Sequence, residues 1–181
     1  MLLDTPLCDF GWKAPEFTLK DSGGNSFTMS EQLGEKGLLI AFIWNHCPYV
    51  KAITGRLAYD TQLLMDEGIN VVAVMSNDYK LVASDSPENM KVFAQENNFL
   101  FPYLVDEVQS VGRAYDAICT PDFFGLNSAG ELQYRGRLDD AKMDNTASRT
   151  PELVNAMRQI AKTGKGPEQQ QPSMGCSIKW S

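Results

Sequence analysis

The stretch Leu38-Leu39-Ile40-Ala41-Phe42-Ile43-Trp44-Asn45-His46-Cys47-Pro48-Tyr49-Val50 decides how this chain folds. Residues 38–44 are an unbroken apolar run without polar alternation, the pattern of a strand buried on both faces of a parallel sheet. The run leads into a cysteine. The proline after it suits the first turn of a helix, where its missing N–H and fixed φ do no harm. A buried strand passing straight into a helix is the repeating unit of an α/β fold. The Cys47 thiol would then sit at the positive end of a helix dipole, which favours thiolate, the form that does chemistry.

Outward from this stretch, elements alternate. Upstream, residues 14–19 and 26–29 alternate around the turn residues Asp21-Ser22-Gly23-Gly24-Asn25, which predicts a β-hairpin. A helical turn follows at 30–34. Downstream, Val50, Ile53, Leu57 and Leu64 recur at helical spacing up to Gly68, predicting one helix from Pro48. Residues 69–75 read as a second buried strand. Ser86-Pro87-Glu88 supplies a cap, a first-turn proline and a first-turn acid for a helix reaching about Asn97. A third strand is predicted over 101–105, a short helix over 108–117, and a hairpin over 123–135 with its turn at Asn127-Ser128-Ala129-Gly130. Residues 137–149 are polar and irregular, hence a surface loop. Thr150-Pro151-Glu152 opens a last helix with Leu153, Val154, Met157, Ile160 and Ala161 inward and Gly164 as terminator. The expected organisation is one domain over 1–164, then a linker and tail over 165–181. The tail residues Cys176, Ile178 and Trp180 are too apolar for a free end and predict docking onto the domain.

Composition narrows the function. The chain has 181 residues with a formal net charge of -7, which argues against nucleic acid and anionic membrane surfaces as partners. No apolar run approaches the ~18 residues of a membrane span, and an acid stands where a signal peptide would carry positive charge. A cytoplasmic location is the expectation. Four cysteines (Cys8, Cys47, Cys119, Cys176) are too few and too scattered for a disulfide scaffold. With one histidine, His46, a multi-histidine metal site is excluded, and no resident cofactor is expected. A zinc site made of His46, Cys47, Cys119 and Cys176 has enough ligands, but no closely spaced ligand pair supports it.

Three segments read together carry a resemblance. They are Ala14-Pro15-Glu16-Phe17-Thr18-Leu19, Asn45-His46-Cys47-Pro48-Tyr49, and Cys119-Thr120-Pro121-Asp122-Phe123-Phe124 with its following hairpin. Together they resemble the thioredoxin-like superfamily, and within it the alkyl hydroperoxide reductase/thiol-specific antioxidant (redoxin) family. The tail Gly175-Cys176-Ser177-Ile178-Lys179-Trp180 resembles a bacterial group of that family in which the motif at the cysteine reads Cys-Asn-His-Cys-Pro-Tyr. The resemblance implies an α/β, thioredoxin-like fold: a central mixed β-sheet flanked by helices, with an N-terminal β-hairpin extension. It also implies a cis peptide at Thr120-Pro121 facing the active cysteine.

The chain departs from both active-site patterns of the superfamily. Trp44 occupies the first position of a Cys-x-x-Cys motif, so the usual dithiol is missing. Against the peroxiredoxin pattern Pro-x-x-x-Thr/Ser-x-x-Cys, Ile40 and Trp44 replace the proline and the hydroxyl residue. Cys47 is therefore expected to be the redox-active thiol without its usual helpers. Cys176 and Cys119 are the candidates to pair with it. Trp44, His46, Pro48, Thr120, Pro121 and Arg137 are expected as active-site support, while Arg135 and Arg137 also read as surface partners of Asp139 and Asp140, since exposed Arg–Asp pairs are common. Each cysteine also has a plain packing explanation, since free cysteine is among the most buried residue types.

Three functions follow from this reading. The first is reduction of hydroperoxides through a Cys47 sulfenic acid, with an external thioredoxin- or glutaredoxin-type thiol donor as reductant. The second is thiol–disulfide exchange through mixed disulfides. The third, motivated by Trp44, is a redox sensor or binding module that has lost the chemistry. A homodimer is one assembly the family allows.

Overall fold

The computed structural model describes residues 1–144 and 147–181. Ten strands form two sheets. The larger is built from β2 (Thr18–Asp21), β3 (Ser26–Thr28), β4 (Leu38–Phe42), β5 (Asn70–Met75), β6 (Tyr103–Val105), β8 (Asp122–Leu126) and β9 (Leu132–Tyr134), in the order β3-β2-β6-β5-β4-β8-β9. Parallel pairs β4–β5 and β5–β6 occupy its middle, and antiparallel hairpins close both edges. Every residue of β4 is buried, as its lack of alternation demands. Helices cover the sheet: α3 (Thr54–Asp66) packs on β5 and on α6 (Glu152–Thr163), and α4 (Pro87–Glu96) packs on β6. The aromatic centre is Phe42, Tyr115 and Phe124, with ring centroids 5.4–5.7 Å apart. This is the mixed α/β, thioredoxin-like architecture with its N-terminal hairpin at one sheet edge.

The second sheet has three strands, β1 (Leu2–Asp4), β10 (Met174–Ser177) and β7 (Cys119–Thr120), in the order β1-β10-β7. The C-terminal strand thus lies between the first residues of the chain and the residues just before Pro121. The Thr120-Pro121 peptide is cis. Residues 165–172 are not a free tether. Gly166 donates to Gln133 Oε1 at 3.2 Å, and the Gln170 amide donates to the Gln133 carbonyl at 2.8 Å.

Three expectations need correction. The helix from Pro48 is two helices, α2 (Pro48–Lys51) and α3, because the Ile53 N–H bonds back three residues to Val50 (3.0 Å) and breaks the four-residue ladder. The strand read over 38–44 ends at Phe42, and although the Ile43 N–H still reaches the Val74 carbonyl at 3.1 Å, Trp44 lies beyond the sheet. The loop at 137–149 is not a surface loop throughout; its positions 145–146 lie outside the described residues. Leu138 and Asp139 are buried, and the Asp139 carboxylate holds both Arg56 (2.5 Å) and Arg149 (3.0 Å). Arg149 in turn grips Asp60 of α3 with two bonds of 2.6 Å. Burying these charges is tolerated because each faces an opposite charge.

The short elements at the start of α4 and at the end of α6 follow their caps. The Ser86 hydroxyl accepts from the Asn89 N–H, and Gly164 takes the left-handed conformation (φ 76°) that ends α6. The remaining α-helices among the described residues are α1 (Met29–Gln32) and α5 (Ser110–Ala114), the second shorter than the 108–117 that the sequence pattern predicts.

Candidate active site

Beyond Phe42 the chain leaves the sheet and is fastened at each step. The Asn45 side chain donates to the Ser84 carbonyl (2.9 Å) and accepts from the buried Tyr103 hydroxyl (3.0 Å). The His46 N–H donates to Asp85 Oδ1 at 3.0 Å. Cys47 is the N-cap residue of α2, and its carbonyl accepts from Val50 and Lys51. The residue is 1% exposed, and its thiol donates to the Thr120 carbonyl at 3.4 Å.

The second sulfur comes from the C-terminal strand. In the β10–β7 ladder Cys176 lies directly opposite Thr120. Residues opposite one another in an antiparallel pair project to the same face. Helix α2, capped by Cys47, packs against β10 there. The Cys176 thiol is pushed up to about 11, by burial first and then by its electrostatic interaction with Cys47.

Cys119 turns the other way. As the neighbour of Thr120 in a strand it projects to the opposite face, where its thiol donates to the Leu3 carbonyl at 3.5 Å. Burial, then the charge of Asp122, push this thiol up to about 12. Cys8 lies apart as well, raised to about 11 mainly by burial and hydrogen-bonded with the Arg135 backbone and the Gln170 side chain.

The other candidates fall into place by contact. Trp44 is buried, with the Lys179 ammonium 5.8 Å from its ring centroid. The His46 ring is exposed, so its role in holding the loop is carried by its backbone. Neither arginine pairs with Asp139 or Asp140, the reading entertained from sequence. Arg135 is buried against Asp122 (2.8 Å), because Asp122 opens β8 and Arg135 directly follows its partner strand β9. Arg137 pairs with Glu152 at 2.5 Å, at the start of α6.

Sequence reasoning missed the residues that tie the tail to this site. Asp85 is fully buried and accepts from the His46 N–H, the Asn45 N–H and, at 2.8 Å, the Asn77 amide. Burial raises its pKa, and these three donors pull it back. The Asn77 carbonyl oxygen in turn accepts the Lys179 N–H at 2.7 Å. Asp85 thus joins the Cys47 loop to the tail in one hydrogen-bonded path. Gln109 clamps the tail from the far side, donating to the Lys179 carbonyl at 2.7 Å and accepting from the Ser181 N–H at 2.8 Å. Trp180 lies under the Arg113 guanidinium, 4.4 Å from ring centroid to carbon. An isolated acid in a loop and a glutamine before a short helix carry no signal in the sequence; only their burial marks them.

One glycine makes the tail fit. A Cβ at Gly175 would stand 1.6 Å from the Thr120 carbonyl oxygen and 2.5 Å from its carbon, both backbone atoms that cannot yield. Gly175→Val is therefore expected to unseat β10. Maleimide labelling of Cys47 should then accelerate more than about tenfold, the equivalent of ~1.4 kcal/mol of lost docking. Unchanged labelling would mean that the tail does not cover Cys47 in solution.

Among the described residues no cluster of three or more His, Cys, Asp or Glu is arranged to hold a metal ion. No helix among the described residues is long and apolar enough to cross a membrane.

Comparison with known proteins gives a consistent picture. A family model described as the AhpC/TSA family matches residues 10–135. The sequence matches no curated protein. Among solved structures, an uncharacterised conserved protein from Geobacillus kaustophilus is 38% identical over 100% of this chain and 97% of its own, with a TM-score of 0.93. A hypothetical protein from Sinorhizobium meliloti 1021 is 37% identical over 98% of both chains, with a TM-score of 0.92. The thioredoxin domain of a thiol-disulfide oxidoreductase from Bacteroides vulgatus is 19% identical over 84% of this chain and 97% of its own, with a TM-score of 0.65, and shares the fold.

Proposed function

Because the chain belongs to the AhpC/TSA family and has the thiol-dependent redoxin character that goes with it, we propose that it reduces hydroperoxides with Cys47 as nucleophile and Cys176 as resolving thiol. The observation that carries this reading is the placement of Cys176 directly opposite Thr120, whose carbonyl the Cys47 sulfur meets at 3.4 Å. The sequence lacks a second cysteine at position 44, and the tail strand brings one to the same sulfur from a distance of 129 positions in the chain. In the first step the Cys47 thiolate attacks one peroxide oxygen; the S–O bond forms, the O–O bond breaks, and the leaving oxygen takes a proton as alcohol or water. In the second, Cys176 gives up its proton and attacks the Cys47 sulfenic sulfur. The disulfide forms and the oxygen leaves as water. An external thiol donor then returns both cysteines to the reduced form, which suits a cytoplasmic setting. The groove of about 230 Å³ beside Pro121 sets apolar Tyr49, Ile53, Phe123, Leu138 and Met174 next to the charged Asp4, Arg137, Asp139 and Lys142.

Titrating the reduced protein with one equivalent of a hydroperoxide, followed by peptide mapping, tests this. The expected product is a Cys47–Cys176 disulfide with Cys8 and Cys119 still reduced. Oxidation that spares Cys47, or that pairs it with Cys119, overturns the assignment.

Thiol–disulfide exchange is the second reading. It is favoured by the engagement of Arg135 and Arg137 with Asp122 and Glu152, which leaves neither guanidinium free to polarise a peroxide. That reading expects the protein to reduce a low-molecular-weight disulfide while leaving hydroperoxide untouched.

A further inference from the structure

Thr120 carries the one side-chain hydroxyl that is buried without a hydrogen-bond partner among the described residues. The residue is 2% exposed. A buried hydroxyl left unpaired costs free energy in the resting fold. Such groups persist where something else uses them. The sheet register says where this one points. Thr120 is directly opposite Cys176, so the two side chains share a face of the β10–β7 ladder. Helix α2, whose N-cap is Cys47, packs against β10. The Cys47 sulfur also contacts the Thr120 carbonyl, at 3.4 Å. An unpaired donor therefore stands beside the two sulfurs between which, in the proposed cycle, an oxygen atom is gained and lost.

We propose that the Thr120 hydroxyl is the hydrogen-bond donor to the oxygen atom that Cys47 takes from a hydroperoxide. This rests on the peroxide reading above and adds a residue to it. When the Cys47 thiolate attacks, the S–O bond forms while the O–O bond breaks, and charge passes through the transferred oxygen to the leaving oxygen. A fixed donor at the transferred oxygen stabilises that charge and costs no reorganisation at the moment of reaction. The same oxygen stays in place as the sulfenic hydroxyl. It departs as water when the Cys176 sulfur attacks, carrying away the proton that Cys176 releases. The hydroxyl residue that the peroxiredoxin pattern has three positions before its cysteine is Trp44 here. Thr120 supplies a hydroxyl from the opposing loop. Disulfide exchange involves only sulfur at this point and has no use for the donor.

The proposal separates two rates. Thr120→Val removes the hydroxyl and keeps the branched shape, whereas Thr120→Ser keeps the hydroxyl. The rate of sulfenic acid formation with cumene hydroperoxide is read in a single turnover. The rate of reaction of the reduced protein with the disulfide probe 5,5′-dithiobis(2-nitrobenzoate) is read in parallel. Thr120→Val is expected to slow the first about tenfold to a hundredfold and leave the second within about twofold. Thr120→Ser restores most of the peroxide rate. Since the hydroxyl is unpaired in the resting fold, Thr120→Val also raises the thermal midpoint of the reduced protein, which a loss of structure could not do. Equal slowing of both reactions, or an undiminished peroxide rate, overturns the role of Thr120. A wild-type protein that reacts with the disulfide probe and not with hydroperoxide overturns the peroxide reading itself, a distinct result.

Discussion

Replacing Cys47 by serine is expected to lower thiol-dependent hydroperoxide turnover by roughly a thousandfold or more, to the level of the uncatalysed reaction. Serine keeps the size of the side chain and its bond to the Thr120 carbonyl, which cysteine makes at 3.4 Å, so the fold should survive. What is lost is the only sulfur held both at the start of α2 and against Cys176. Cys176→Ser is expected to behave differently. Cys47 still takes the oxygen, so one equivalent of peroxide is consumed, and the sulfenic acid then persists until an external thiol reaches it. A sulfenic-specific reagent such as dimedone should label Cys176→Ser at Cys47 and leave wild type, which closes its own disulfide, largely unlabelled. If Cys47→Ser turns over at the wild-type rate, the nucleophile has been misassigned. If Cys176→Ser cycles like wild type with no trapped sulfenic acid, the tail thiol is only a packing residue.

The second large effect is on stability. Arg135 is 6% exposed and its guanidinium meets the fully buried Asp122 at 2.8 Å. The same guanidinium donates to the Asp116 carbonyl at 2.9 Å and lies 4.4 Å over the Phe124 ring. Asp122 opens β8 immediately after Pro121, so this pair anchors the loop that faces Cys47. Arg135→Met fills similar volume and leaves the carboxylate buried without its counter-charge, which is expected to cost about 3–5 kcal/mol at neutral pH. The pH dependence has a definite sign. Burial raises Asp122 from 3.8 to about 6 even with Arg135 in place, because desolvation outweighs the ion pair. A folded-state value above the unfolded one means the folded protein holds this proton more tightly. The contribution of this group to stability is therefore greatest below about 3.8 and declines as pH rises toward 6. Without Arg135 the folded value climbs further, and protonation then relieves the buried charge over a wider range. Urea unfolding should show a smaller loss for Arg135→Met at pH 5 than at pH 8. Equal losses at the two values would mean that removing Arg135 leaves the protonation of Asp122 unchanged between them.

The central strands were legible in the sequence because burial on both faces leaves a run such as Leu38-Leu39-Ile40-Ala41-Phe42 with no polar residue. The start of α4 was legible because Ser86 and Pro87 act within one turn of themselves. The split between α2 and α3 was not, since Val50, Ile53 and Leu57 keep helical spacing across it and all three are buried. Nor was β1, whose three residues have no pattern of their own and are a strand only because β10 lies beside them.

The same division runs through the site. Cys47 could be named from its neighbours, because strand, cysteine and proline are consecutive and their physics is local. Pairing Cys47 with Cys176 rather than Cys119 could not be decided that way. Cys119 is the closer in sequence, and strand alternation alone turns it to Leu3 while placing Thr120 and Cys176 on the other face. Asp85, Asn77 and Gln109 became visible only once burial removed water and left each polar group to find a protein partner. Sequence by itself determined the alternating α/β order, the candidate reactive position and the fact that its usual helpers are absent. Tertiary structure decided which groups stand near it, because an approach across 129 positions depends on how two distant strands are registered, and register is set by the whole sheet rather than by either segment.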